Sequence, residues 1–85
     1  MAYRVVLLRA AQDQLRDAPP LLLGYVDGIL VVLRVDPETV TAAFDVRIVD
    51  DELREASFGG GYGLLGFWVL KQRKIVAVTH VTWIS

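Results

Sequence analysis

The chain has 85 residues, 54% hydrophobic and 22% charged, with a formal net charge of -1 and no cysteine. That length allows one domain, and the composition excludes intrinsic disorder. The missing cysteine excludes disulfides, thiolate zinc sites and cysteine nucleophiles, and the slight acidity excludes a broad positive field for nucleic acid, so that any such binding must come from a local cluster.

In chain order, Tyr3 to Arg9 is rich in β-branched and aromatic residues and predicts a first strand, although the same apolar run would suit the start of a helix. Ala10 to Asp17 turns helical, with Ala11 and Leu15 on one face and Gln12, Asp13, Gln14 and Arg16 toward solvent, until Pro19-Pro20 stops it. Pro20 suits the first position of a second helix, in which Leu22, Tyr25, Val26, Ile29, Leu30 and Leu33 recur three or four apart until Asp36-Pro37. Leu21, Leu23, Val31, Val32 and Val35 lie off that stripe. A helix apolar on most sides is buried on more than one side, so Leu21, Leu23, Val31 and Val32 are candidate partner-binding residues, in a homodimer or with another protein. Gly24 and Gly28, one turn apart, would let another backbone approach, but this spacing also arises by chance.

An irregular link covers Pro37 to Thr41. Ala43 to Val49 alternates, with Phe44, Val46 and Ile48 on one face and Asp45 and Arg47 on the other, and predicts a second strand. A charged strand follows around Asp50 to Phe58, then the glycine cluster Gly59-Gly60-Gly61-Tyr62-Gly63. Two apolar strands, Leu64 to Leu70 and Ile75 to Ile84, are separated by the basic turn Lys71-Gln72-Arg73-Lys74. Links this short leave no room for a crossover, so the last three strands form an antiparallel meander. The expected class is α+β, an N-terminal strand and two-helix hairpin packed on a small twisted antiparallel sheet, in one domain spanning residues 1–85. The glycine cluster is not followed by a helix with lysine and serine or threonine, so it reads as a tight turn or bulge and not as a phosphate loop. No cofactor or metal is expected. Leu21 to Val35, interrupted by Gly24, Asp27, Gly28 and Arg34, is shorter than the roughly 20 residues a bilayer span needs. Val5 to Leu8 is too short for a signal-peptide core, so a cytoplasmic protein is expected.

This order of elements resembles the RelE/ParE superfamily of bacterial toxins from type II toxin–antitoxin modules. Tyr3-Arg4-Val5-Val6-Leu7, then Ala10 to Leu15 and the Pro-Pro break, is similar to that family's first strand and helical hairpin, which Asp36-Pro37 closes. Leu53-Arg54-Glu55 and Gly61 to Val69 are similar to its charged strand and its aromatic-arginine strand, and Ile75 to His80 to its last strand. The resemblance spans nearly the whole chain. It implies a ribosome-dependent mRNA endonuclease silenced by a cognate antitoxin or, as the alternative, a non-catalytic binding module of the same fold such as a ParE-like DNA gyrase inhibitor.

Ribonuclease chemistry of that kind is attack of a ribose 2′-hydroxyl on the adjacent phosphate. It needs a proton acceptor, cations for the developing charge and a donor for the leaving oxygen. The residues this chain has available for such a site are Arg47 and Arg54 on adjacent strands as phosphate ligands, His80 as the proton carrier and Tyr62 or Trp83 for base stacking, with Lys71, Arg73 and Lys74 as RNA contacts. Each has a plainer reading. His80, the only histidine, would be a structural imidazole, and Arg54, flanked by Glu52 and Glu55, a surface ion pair. The basic turn would be a solvated link, and the aromatics core. Two departures set this chain apart: Gly63 stands where ribonuclease members place an arginine, and Val81 to Ser85 lacks the basic or tyrosine residues found after the histidine in several members.

Overall fold

The structure, a computed structural model, describes residues 3–39, 44–50 and 52–84. The elements are β1 (Arg4–Leu7), α1 (Arg9–Arg16), α2 (Pro20–Val35), a 3-10 turn (Pro37–Thr39), β2 (Asp45–Ile48), β3 (Leu53–Phe58), β4 (Gly63–Leu70) and β5 (Ile75–Trp83). The strands form one sheet in the order β1-β5-β4-β3-β2. The meander from β2 to β5 is antiparallel throughout. The first strand adds a parallel edge to the expected antiparallel meander, because β1 pairs with β5 in parallel and makes the sheet mixed. Parallel pairing needs a long connection. Here both helices and three strands intervene between the two, and the meander brings β5 back to the starting edge.

Periodicity along α2 decides which side the helices cover. Leu22, Val26, Ile29 and Leu33 are buried, and they pack with Ala11 of α1 against Ala56, Phe58, Leu65, Phe67, Val69, Val76, Val78 and Val81 of the sheet. Pro20 occupies the first turn of α2, where its missing N–H costs nothing. The backbone N–H of Asp36 bonds back to Val32 O at the other end, and Tyr3 N donates to Arg34 O, tying the start of β1 to the end of α2. Leu21, Leu23, Val31 and Val35 are exposed, whereas Val32 is half-buried against the core. A Cβ at Gly24 or Gly28 would meet nothing within 4 Å. Neither glycine brings another described backbone close.

β1 ends at Leu7 while β5 runs on to Trp83, so the rest of that edge needs another partner. α1 covers it. Leu8 N donates to Val78 O, and Gln14 Oε1 accepts the N–H of Val81 at 2.6 Å. Gln14 is thus a half-buried edge cap and not the solvent-facing residue that its helical position suggested. The three glycines at 59–61 all have positive φ and make the β3–β4 turn. No described helix is long and apolar enough to cross a membrane.

Candidate functional site

Strand alternation sorts the charged residues of β2 and β3 onto opposite faces. Arg54, Ala56 and Phe58 are buried on the helix-packed side, and Glu55 points the other way. Across the sheet, Arg47 pairs with Glu55, Glu55 with Gly66 and Gly66 with His80. A single rung of four strands on the helix-free face therefore reads cation, carboxylate, glycine, imidazole.

Two local irregularities assemble this rung. β4 and β5 slip register between Gly66 and Phe67, so that Phe67 faces Val78 while Gly66 faces His80, leaving Thr79 as the extra residue of a bulge. The bulge returns Val81 to the core three residues after Val78 and turns His80 outward. Gly66 then supplies the room, since a Cβ there would collide with the imidazole ring. With no side chain beneath it, the ring reaches across β4 and sets Nε2 3.6 Å from Glu55 Oε2. Arg47 Nη2 donates to the other oxygen, Glu55 Oε1, at 2.5 Å. Thr79 Oγ1 lies 2.8 Å from His80 Nδ1; when the hydroxyl donates, Nε2 carries the proton that faces Glu55.

Glu55 is the residue that sequence reasoning missed, having entered only as an ion-pair neighbour of Arg54. Its side chain is 17% exposed, against 76% for Arg47 and 33% for His80, so a half-buried carboxylate joins two more accessible groups. A shallow concavity lined by Asp45, Arg47, Glu55, Ser57 and Leu64 opens beside it. Chemically, the rung offers one cation for an anionic substrate and one imidazole for proton transfer, with a carboxylate that orients both.

The structure brings together Arg47 and His80 and separates the other candidates from them. Arg54 lies on the opposite face, where its Nη1 donates to Glu38 Oε1 and Oε2 at 3.1 Å each; its partner is Glu38, not Glu52 or Glu55. Tyr62 belongs to an aromatic cluster with Tyr25 and Phe58. Trp83 packs against the core. Lys71, Arg73 and Lys74 sit in the β4–β5 turn, with Lys74 Nζ 5.2 Å from the Tyr3 ring centroid. At about 3.3 Å per residue of strand, that turn is roughly 20 Å from His80. Gly63, where the resemblance calls for an arginine, is buried with the Phe58 ring against it, so a Cβ would strike the ring. The backbone at 63 is packed for no side chain at all. No group of three or more metal-ligating side chains occurs among the described residues.

Neither a protein-family model nor a curated protein sequence matches the chain. Solved structures do match in fold. The archaeal RelE–RelB complex from Pyrococcus horikoshii has a chain that superposes with a TM-score of 0.85 at 18% identity, over 98% of this chain and 96% of that one. The RelBE2 toxin–antitoxin complex from Mycobacterium tuberculosis gives 0.79 at 18% identity, over 99% and 100%. The E. coli toxin RelE, as a mutant in complex with a peptide of antitoxin RelBc, gives 0.75 at 17% identity, over 100% and 86%. The chain has the RelE fold, with both helices on one face of a five-stranded mixed sheet.

Proposed function

We propose that this chain is the toxin component of a type II toxin–antitoxin pair, an mRNA endonuclease-like protein with a reduced site, kept silent in the cytoplasm by a cognate antitoxin. The observation that carries the reading is the Arg47–Glu55–His80 rung on the open face of a RelE-fold sheet. The similar structures are of RelE with RelB or a RelBc peptide, which supports an antitoxin as partner.

In the proposed reaction the 2′-oxygen of a ribose attacks the adjacent phosphorus, the P–O5′ bond breaks, and a 2′,3′-cyclic phosphate and a 5′-hydroxyl result. His80 moves the proton, either from the 2′-hydroxyl or to the departing 5′-oxygen. Arg47 binds the phosphate once that anion competes with Glu55 for its guanidinium. With Arg54 on the other face and Gly63 closed by Phe58, one arginine serves where the resemblance led one to expect several, and the ribosome and its mRNA would supply the remaining positioning.

Induction of the wild type, Arg47→Ala, Glu55→Gln and His80→Ala in cells, followed by mapping of mRNA ends, tests this. Cleavage by the wild type, reduced at least about a hundredfold in His80→Ala, is expected for loss of a general acid–base group. Equal toxicity of all four without cleavage would transfer the reading to a binding module that needs no proton carrier.

A further inference from the structure

α2 turns an apolar stripe away from the sheet. Leu21, Gly24, Gly28, Val31 and Val35 recur three and four residues apart, and all five are exposed, opposite the buried Leu22, Val26, Ile29 and Leu33. Leu21, Val31 and Val35 are 57–66% exposed, so covering them would remove apolar surface from water along most of the helix. The glycines between them serve nothing in the single chain: a Cβ at either would meet nothing within 4 Å, and each costs a helix about 1 kcal/mol relative to alanine. Asp27 and Arg34 are exposed on one flank of this stripe, two turns apart. Among the described residues no ion pair or hydrogen bond engages either side chain.

We propose that this face pairs with the same face of a second copy of the chain, the two α2 helices lying antiparallel about a twofold axis. Seating Val31 of one copy over Gly28 of the other also seats Val35 over Gly24, so the two bare stretches receive the two projecting valines, and symmetry makes each contact twice. A groove lined by Pro20, Leu21, Gly24 and Tyr25 is already present where Val35 would seat. Charge agrees with this arrangement only. A twofold axis perpendicular to both helices keeps the charged flanks of the two copies on the same side and reverses their order, which sets Asp27 of each within about 3 Å along the axis of Arg34 of the other, at about 1.5 Å per residue. Parallel helices related by a twofold would carry the flanks on opposite sides and leave all four charges unpaired. The face is thus complementary to itself in shape and in charge. It lies across the sheet from Arg47, Glu55 and His80 and does not depend on RNA cleavage.

Sedimentation equilibrium of the purified full chain over a concentration series tests this. The wild type should dimerise reversibly. Asp27→Arg and Arg34→Asp should each weaken association at least about tenfold, because each sets two like-charge pairs across the axis. An equimolar mixture of the two variants should associate as tightly as the wild type, since one chain then carries two cations and the other two carboxylates. Gly24→Ala, whose Cβ stands where Val35 of the second copy seats, should weaken association several-fold even though the helix of the single chain gains from it. Each variant should keep the wild-type circular dichroism, because the changed positions are exposed. A wild type monomeric throughout, which would leave the face to a different protein, charge reversals that associate as well as the wild type, or a mixture that stays monomeric would overturn the proposal.

Discussion

The two faces of the sheet are built on different energetics, and neighbouring residues of β3 show it. Arg54 and Glu55 are adjacent in sequence, yet one lies at the edge of a helix-covered apolar layer and the other joins Arg47 to His80 on the open side. The covered face is held by burial of whole apolar side chains, at about 1.5–3 kcal/mol each. The open face is held by partly solvated ion pairs, each about 0–1 kcal/mol. Stability and the candidate chemistry are therefore separable by mutation.

The largest expected effect breaks the covered face. Ile29→Ala or Phe67→Ala removes a fully buried side chain and should cost about 2–5 kcal/mol in urea unfolding, since α2 cannot collapse onto the vacated space without moving. Next comes Gly66→Ala, whose Cβ would collide with the imidazole. It should cost about 1–3 kcal/mol and displace His80 from Glu55, read as lost proximity between the two side chains by NMR. Gly24→Ala sharpens the contrast with the opposite sign: its Cβ enters open space, so stability should rise by up to about 1 kcal/mol. Glu55→Gln should change stability by less than about 1 kcal/mol while altering any activity, because Arg47 is largely solvated and glutamine keeps an oxygen that can accept from His80.

The smallest effect concerns the β2–β3 turn, at one end of both faces. The N–H groups of Leu53 and then Glu52 bond Asp50 Oδ1 and hold its carboxyl below the usual carboxylate range. A carboxyl lowered in the folded state contributes stability that is fully present above its unfolded value, near ~3.9, and lost as pH falls through the folded value. Asp50→Asn should therefore lower the midpoint slightly at neutral pH, and its difference from the wild type should shrink below about pH 4.

Local patterns were enough to place the elements. The three- and four-residue spacing of Leu22, Val26, Ile29 and Leu33 marked the buried stripe of α2, and the predicted limits of β4 and β5 fall within a residue of those observed. In the sequence Arg54 and Glu55 read as neighbours in a surface ion pair, whereas in β3 they lie on opposite faces of the sheet. What local pattern left open was the company each residue keeps. The one visible hint of the bulge was a break in period, from Val76 and Val78 to Val81. Without a register it could not be assigned to a histidine lying over Gly66.

By itself the sequence determined the order of elements, the covered stripe of α2 and the antiparallel run of the last strands, because each depends on contacts within a few residues or on links too short to cross over. Only the tertiary structure decided that β1 lies parallel to β5, that Glu38 partners Arg54, and that Arg47, Glu55 and His80 share one rung. Those pairings are set by register between distant segments, and a slip of one residue would send every side chain of a strand to the other face.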